Sequence, residues 1–120
     1  MEIRTFGVVG AGQMGAGIAQ VAAMSGLNVI MNDINEQLVN KGLDGITRLL
    51  GKSVEKGRMS SGDKDMIVSR IRTSVDLKDM EAADYVVEAA SERPDIKFKI
   101  FSDLDSICRE QVILASNTSS

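Results

Sequence analysis

Three glycines at fixed spacing, followed by one acidic residue, are the positions in this sequence best suited to binding a ligand. Gly10, Gly12 and Gly15 form a Gly-x-Gly-x-x-Gly pattern, and Asp33 closes the next apolar run. The first glycine permits a tight turn, the second lets the backbone approach a pyrophosphate, and the third lets a helix pack closely on a sheet. The pyrophosphate would lie at a helix N-terminus, where unpaired N–H groups and the helix dipole favour an anion.

The elements around these glycines follow the order that the pattern requires. Thr5 to Val9 is predicted to be a strand, Gly26 is predicted to end the helix that follows, and Asn28 to Asn32 is predicted to be a second strand. The helix is indicated by apolar residues at helical spacing: Met14, Ile18, Val21 and Ala22. Strand, glycine turn, helix, strand and acid together are the dinucleotide-binding fingerprint. The alternative is a glycine-rich turn that closes an ordinary βαβ unit.

Asp33 indicates which dinucleotide is bound. Its carboxylate would accept hydrogen bonds from both hydroxyls of the adenosine ribose, and it would repel a 2′-phosphate. Residues 34–40 contain no Arg or Lys that could offset this repulsion. The sequence therefore predicts NAD rather than NADP as the cofactor, with Gln13 and Met14 of the glycine pattern among the residues that bind it.

Composition limits the other functions of the chain. Its 120 residues suffice for one domain, and a net charge of −3 without a basic run argues against nucleic acid as a partner. We find neither a membrane-spanning apolar stretch nor a signal peptide before the first strand, and we predict a cytoplasmic location. The single cysteine, Cys108, excludes an internal disulfide, and its position on an apolar helical stripe predicts burial. The sequence has no histidine, and no metal site is predicted.

A long amphipathic helix is predicted after Asp33. Its apolar residues recur every three or four positions: Val39, Leu43, Ile46, Leu50 and Val54. Three glycines weaken this helix without breaking it: Gly42, Gly45 and Gly51. Residues 56–58 end it with a basic last turn and a glycine. Ser60 or Ser61 can then cap a shorter helix.

The remaining pattern predicts the topology. We expect strands at residues 72–75, 85–90 and 112–115, and a helix that begins at Pro94. This order predicts an α/β fold, a Rossmann-type doubly wound parallel sheet in three αβα layers that is truncated after about the fifth strand. Ligands of such sheets lie outside the carboxyl ends of the strands, at the switch point between the first and fourth. The glycine loop, residues 89–92 and residues 117–120 are all predicted to reach that point.

Four segments together resemble the N-terminal part of a 3-hydroxyacyl-CoA dehydrogenase of the bacterial 3-hydroxybutyryl-CoA dehydrogenase type. They are GAGQMGAGIA at residues 10–19, VVEAA at 86–90, the stretch 97–107, and LASNTSS at 114–120. The resemblance implies that residues 1–120 form the NAD-binding domain of an enzyme of fatty acid or butanoate metabolism. That enzyme interconverts (S)-3-hydroxyacyl-CoA and 3-oxoacyl-CoA by hydride transfer, so an acyl-CoA is the implied substrate.

The resemblance also implies roles for single residues. It assigns Asp33 to the adenosine ribose, Ser119 to the oxygen of the substrate's 3-hydroxy or 3-oxo group, and Lys56 to coenzyme A. Three further residues are implied to lie on the nicotinamide side of NAD: Glu92, Lys97 and Asn117. For Glu92 and Lys97 the alternative is a solvated helix start, and for Lys56 it is a basic residue that complements the helix dipole. Arg93 stands where many relatives carry Asn.

The catalytic residues of this family are implied to lie beyond Ser120. The family uses a His as general base, a Glu that orients it, and a helical domain for substrate binding and homodimer formation. We therefore expect the 120 residues to be inactive alone, and we expect the uncovered sheet edge to promote self-association. Two alternatives remain: another β-hydroxyacid dehydrogenase, and a non-catalytic NAD-binding or structural protein such as the lens crystallins related to this family.

Overall fold

The computed structural model describes residues 3–89, 94–107 and 113–116. Its elements, in chain order, are β1 (Thr5–Val9), α1 (Gln13–Met24), β2 (Asn28–Asn32), α2 (Glu36–Glu55), α3 (Ser61–Ser69), β3 (Ile71–Ser74), a 3₁₀ helix (Leu77–Ala82), β4 (Tyr85–Glu88), α4 (Pro94–Ile107) and β5 (Ile113–Ser116). Cys108, which we expected to be buried, lies outside the described residues.

All five strands run parallel in the order β3-β2-β1-β4-β5. The strand order reverses between β1 and β4, so the predicted switch point is confirmed. At the carboxyl edge of the sheet, Val9 of β1 is in register with Asn32 of β2 on one side and with Glu88 of β4 on the other. The end of β1 therefore lies between two neighbouring strand ends, as a ligand site at this edge requires.

The sheet is covered on both faces, because successive side chains of a strand point in opposite directions. Val8 and Met31 face the layer of α1, α2 and α3, whereas Val9, Ile30 and Val86 face the 3₁₀ helix and α4. This arrangement confirms the three-layer αβα fold. Within the part of the chain that the structure describes, each helix is too short or too polar to cross a membrane.

The buried face of α1 is not the face that carries its large apolar residues. Its buried residues are all small: Gly15, Ala19, Ala22 and Ala23. Met14 and Val21 are instead 45% and 64% exposed. Small residues let the helix axis approach the strands closely, which places the start of α1 directly beside the end of β1.

Local signals in the sequence set most of the boundaries. Asn35 caps α2 by accepting a hydrogen bond from the N–H of Leu38, and Ser60 caps α3 by accepting one from the N–H of Asp63. Gly26, with φ of 98°, follows α1 as predicted. Of the predicted strands, β1 and β2 have the expected limits. β3 starts and ends one residue earlier than predicted, β4 ends at Glu88, and β5 ends one residue later than predicted, at Ser116. The 3₁₀ helix between β3 and β4 was not predicted at all.

Candidate functional site

The glycine loop leaves β1 between the ends of its two neighbouring strands. Gly10 has a φ of 113°, a conformation that glycine adopts at little cost. Its N–H donates to the carbonyl oxygen of Asn32 at 2.7 Å, and the N–H of Ala89 donates to the carbonyl oxygen of Val9 at 2.8 Å. Hydrogen bonds to the ends of both neighbouring strands therefore fix the start of the loop.

Gly15 is required by the packing of the helix on this loop. A β-carbon at Gly15 would overlap the carbonyl oxygen of Gly10, which is a backbone atom and cannot rotate away. The predicted role of Gly15, close packing of the helix start on the sheet, therefore has a direct steric basis.

Gly12 has a different environment. Apart from Gly12 itself and its two neighbours in the chain, no atom of the described residues lies within 4 Å of the position that a β-carbon at Gly12 would take. Gly12 is the N-cap of α1 and has no side chain to cap the helix, and the first turn carries no acid. Open space at a helix N-terminus whose first turn has no acidic side chain suits a phosphate group. The residues present therefore fit the pyrophosphate of a dinucleotide.

Asp33 is attached to the glycine loop. Its Oδ2 accepts a hydrogen bond from the N–H of Ala11 at 2.8 Å, and its Oδ1 accepts one from the N–H of Ile34 at 2.7 Å. The side chain is half-buried, so part of the carboxylate stays open to a ligand. Each oxygen can accept more than one hydrogen bond, so two ribose hydroxyls can still be bound.

A cleft of about 170 Å³ lies beside this carboxylate. Apolar side chains of the β2, β3 and α4 region line it together with the glycine loop: Val9, Gly10, Asn32, Asp33, Ile34, Val75, Leu77 and Ile100. Ile34 and Val75 are 83% and 47% exposed. Exposed aliphatic side chains that line a cleft provide apolar surface for a planar ring, and the adjacent carboxylate suits the sugar attached to it.

A polar network that was not predicted lies at the carboxyl ends of β2 and β3. The buried Asn32 donates from Nδ2 to Oγ of the buried Ser74 at 3.1 Å. Ser74 Oγ lies 2.7 Å from Oδ2 of Asp79, and Oδ1 of Asp79 lies 3.4 Å from the guanidinium of Arg72. These contacts join the ends of β2 and β3 to the 3₁₀ helix. No short motif predicts them, because the residues are brought together by strand order.

A second groove is larger than this cleft. This groove of about 580 Å³ follows the outer face of α1, where Met14, Ile18 and Val21 lie beside Phe6. Its lining is almost entirely aliphatic or aromatic and presents no titratable group. The smaller cleft is the better candidate because Asp33 and the glycine loop converge there.

Comparison with known proteins agrees with this geometry. Residues 5–120 match the family model for the NAD binding domain of 3-hydroxyacyl-CoA dehydrogenase. The chain belongs to this family. NAD is therefore its cofactor, and the Rossmann-type fold and the family resemblance found in the sequence are confirmed.

Individual relatives of the 3-hydroxyacyl-CoA dehydrogenase family cover nearly the whole chain. A probable 3-hydroxybutyryl-CoA dehydrogenase of Bacillus subtilis is 43% identical over 120 residues, 42% of its own length. One of Deinococcus radiodurans is 45% identical over 115 residues, which are 96% of this chain and 41% of the relative. The crystal structure of (S)-3-hydroxybutyryl-CoA dehydrogenase from Ralstonia eutropha superposes with a TM-score of 0.97 at 46% identity, covering 99% of this chain and 42% of that one. The chain thus spans about two-fifths of these relatives.

The other family residues predicted from the sequence have different positions. Gln13 and Met14 lie exposed in the first turn of α1, beside the open space at Gly12. Glu92, Asn117 and Ser119 lie outside the described residues, as does the side chain of Lys97, whose backbone is in α4.

Lys56 is not close to the glycine loop. It is the exposed C-cap of α2, and the 20 residues of that helix correspond to a length of about 30 Å at 1.5 Å per residue. Because α2 begins directly after Asp33 and Asn35, Lys56 is at the opposite end of the helix from the dinucleotide site. A ligand that reached both would have to be long.

Proposed function

We propose that this chain is the NAD-binding part of an oxidoreductase that interconverts (S)-3-hydroxyacyl-CoA and 3-oxoacyl-CoA, with 3-hydroxybutyryl-CoA as the substrate. The observation that carries the proposal is the hydrogen bond between Asp33 and the N–H of Ala11, which puts the ribose acceptor beside the glycine loop. The names of the relatives from Bacillus subtilis and Ralstonia eutropha support the substrate. The nicotinamide of the bound cofactor would supply the hydride-transfer chemistry.

The described contacts support the proposed binding roles. Gly10 and Gly15 give the loop its shape, and Gly12 leaves room for the pyrophosphate. Gln13 and Met14, the first two residues of α1, would contribute to binding next to that space, and the start of α1 directs its positive end toward it. Asp33 binds the adenosine ribose, and its negative charge disfavours a 2′-phosphate.

The substrate side of the site is proposed from the family resemblance. Glu92, Lys97 and Asn117 would lie near the nicotinamide, and Ser119 would bind the substrate oxygen. Lys56 would contact coenzyme A. Its distance from the glycine loop is compatible with this role because coenzyme A is an extended molecule, and the ammonium group suits its phosphates.

We further propose that residues 1–120 form one NAD-binding domain of a cytoplasmic homodimeric enzyme. The general base of the family is a histidine, and this chain contains none. The chain itself would then bind the cofactor but would not oxidise or reduce the substrate, because no residue in it can replace imidazole as proton acceptor at neutral pH.

The experiment that tests this function measures ligand binding and turnover on the same sample. NADH is titrated into the chain by fluorescence, first alone and then with acetoacetyl-CoA or free acetoacetate. We expect NADH to bind, acetoacetyl-CoA to perturb its fluorescence, acetoacetate to have no effect, and NADH not to be consumed. Lys56→Ala should weaken the acetoacetyl-CoA effect, whereas Lys52→Ala, an exposed lysine of the same last turn, should not. Steady NADH oxidation, or an equal response to acetoacetate, would contradict the proposal.

A further inference from the structure

Gly42 lies in the middle of the buried face of α2. The buried residues of this helix are Val39, Gly42, Ile46 and Leu50. Glycine is the weakest ordinary residue in a helix interior, so a glycine at this position needs a reason. Its backbone gives none: the glycines with positive φ in the described residues are Gly10, Gly26 and Gly57. The reason must be the space that a side chain would occupy.

That space is taken by the glycine loop. A β-carbon at Gly42 would lie 2.7 Å from the carbonyl oxygen of Ala11, 3.1 Å from the β-carbon of Ala11 and 3.2 Å from Cε of Met31. The methionine can move its end, but the carbonyl oxygen belongs to the backbone. A side chain at Gly42 would therefore push α2 and the glycine loop apart by at least a few tenths of an ångström.

The displaced residue is the one that holds Asp33. Ala11 is buried, and its N–H donates to Oδ2 of Asp33 at 2.8 Å. Ala11 also precedes Gly12, where the open space at the helix N-terminus begins. A shift of Ala11 away from α2 would change both the position of the ribose acceptor and the approach to the pyrophosphate.

We propose that Gly42 is a positioning residue of the NAD site, an inference that rests on the proposed role of Asp33 and the glycine loop. Without contacting the cofactor, Gly42 allows α2 to come close enough to support the Ala11 carbonyl from behind. This packing holds the glycine loop in the position at which the N–H of Ala11 reaches the carboxylate of Asp33. Gly42 thus lowers the stability of the helix but permits the geometry that the site requires.

Gly45 offers a matched control in the same helix. It is half-buried and three residues further along, and apart from its chain neighbours and the backbone of its own helix no atom of the described residues lies within 4 Å of where its β-carbon would be. Gly45→Ala makes the same chemical change as Gly42→Ala and gives the helix the same gain in propensity. It leaves the glycine loop untouched.

The test compares Gly42→Ala, Gly45→Ala and the double variant in the full chain, by calorimetric titration with NAD and by thermal unfolding. Gly45→Ala should raise Tm by about 3–6 °C, with the Kd for NAD unchanged. Gly42→Ala should raise that Kd about tenfold at a stoichiometry near one, the change expected when one hydrogen bond to a charged group is lost. The double variant should regain Tm relative to Gly42→Ala and keep its weakened Kd.

The outcomes separate this inference from the proposed function. If Gly42→Ala binds NAD as tightly as the wild type, or if the double variant recovers affinity along with Tm, Gly42 is only a packing residue and the inference is wrong. If Gly42→Ala alone does not fold, the double variant, which has the added helix propensity of Gly45→Ala, is compared with Gly45→Ala instead. A wild-type chain that does not bind NAD would overturn the proposed function and this inference together.

Discussion

Ala11 and Asp33, 22 residues apart in the sequence, are joined by a 2.8 Å hydrogen bond from the backbone N–H of one to the carboxylate of the other. The bond connects the glycine loop to the end of β2. With the 2.7 Å bond from Gly10 to Asn32 beside it, it makes the two halves of the fingerprint one structural unit. The acid therefore orients the loop, in addition to its proposed role as the acceptor for the ribose, and changes in either part should affect the other.

Replacing Asp33 by alanine should weaken NAD binding strongly. The change removes the acceptors for the ribose hydroxyls and leaves the N–H of Ala11 without its acceptor, which together should cost about 2 kcal/mol or more, or about thirtyfold in Kd. Calorimetric titration with NAD measures the effect. Asp44→Ala, at an exposed position of α2, is the control and should bind as the wild type does. Equal affinities for the two variants would refute the ribose role.

Gly12→Ala should separate cofactor binding from folding. The backbone there, with φ of −68°, suits alanine, and no described atom obstructs a β-carbon. The free energy of unfolding should therefore stay within about 0.5 kcal/mol of the wild type, as for an unobstructed surface change. NAD affinity should nevertheless fall about tenfold or more, because the methyl group occupies the space of the pyrophosphate. Unaltered NAD affinity in this variant would show that the pyrophosphate lies elsewhere.

Gly15→Ala, unlike Gly12→Ala, should lower the stability of the fold. Its β-carbon would overlap the carbonyl oxygen of Gly10, and an overlap with backbone should lower the free energy of unfolding by about 3 kcal/mol. In the same helix, the β-carbon of Gly17→Ala meets no described atom within 4 Å apart from its chain neighbours and the backbone of its own helix, and this change should stabilise the chain by about 0.5–1 kcal/mol. Chemical denaturation of both variants gives the comparison. If the Gly15→Ala chain is as stable as the Gly17→Ala chain, the close contact between Gly15 and Gly10 does not require glycine, and the prediction is wrong.

The cofactor preference should be reversible at two adjacent positions. Ile34 is 83% exposed, and its N–H donates to Oδ1 of Asp33, so a side chain at position 34 would lie beside the proposed position of the ribose. Asp33→Ser combined with Ile34→Arg removes the repelling charge and adds a guanidinium for the 2′-phosphate. The double variant should bind NADP more tightly than NAD, while Ile34→Arg alone should still prefer NAD. Retention of the NAD preference in the double variant would argue that another group selects the cofactor.

Much of the fold could be predicted because local signals agree with the tertiary structure. The strand Thr5–Val9 and the strand Asn28–Asn32 have the predicted limits, and Gly26 and Ser60 mark helix ends as expected. Alternation of strands and helices was sufficient to predict the switch point. The structural roles of Gly10 and Gly15 could be predicted for the same reason, because a positive φ at Gly10 and the lack of room for a β-carbon at Gly15 limit both positions to glycine. The cofactor-binding roles of the glycines and of Asp33 stay predictions.

Features that depend on close approach between distant segments were missed. The buried face of α1 is made of Gly15 and three alanines, whereas hydrophobic patterning gives most weight to large residues such as Val21. Gly42 was interpreted as a weak point of its helix, because the sequence does not show that Ala11 lies against it. The network of Asn32, Ser74 and Asp79 likewise exists only once β2 and β3 are paired.

The most direct test of the account is a calorimetric titration of the chain with NAD and, in parallel, with NADP. An Asp33 carboxylate fixed to the glycine loop should accept the ribose hydroxyls of NAD and repel the 2′-phosphate of NADP. We predict binding of NAD at a stoichiometry near one, with NADP at least tenfold weaker because of this repulsion. Absence of NAD binding, or equal affinity for the two dinucleotides, would contradict the central claim that this loop and this acid form the cofactor site.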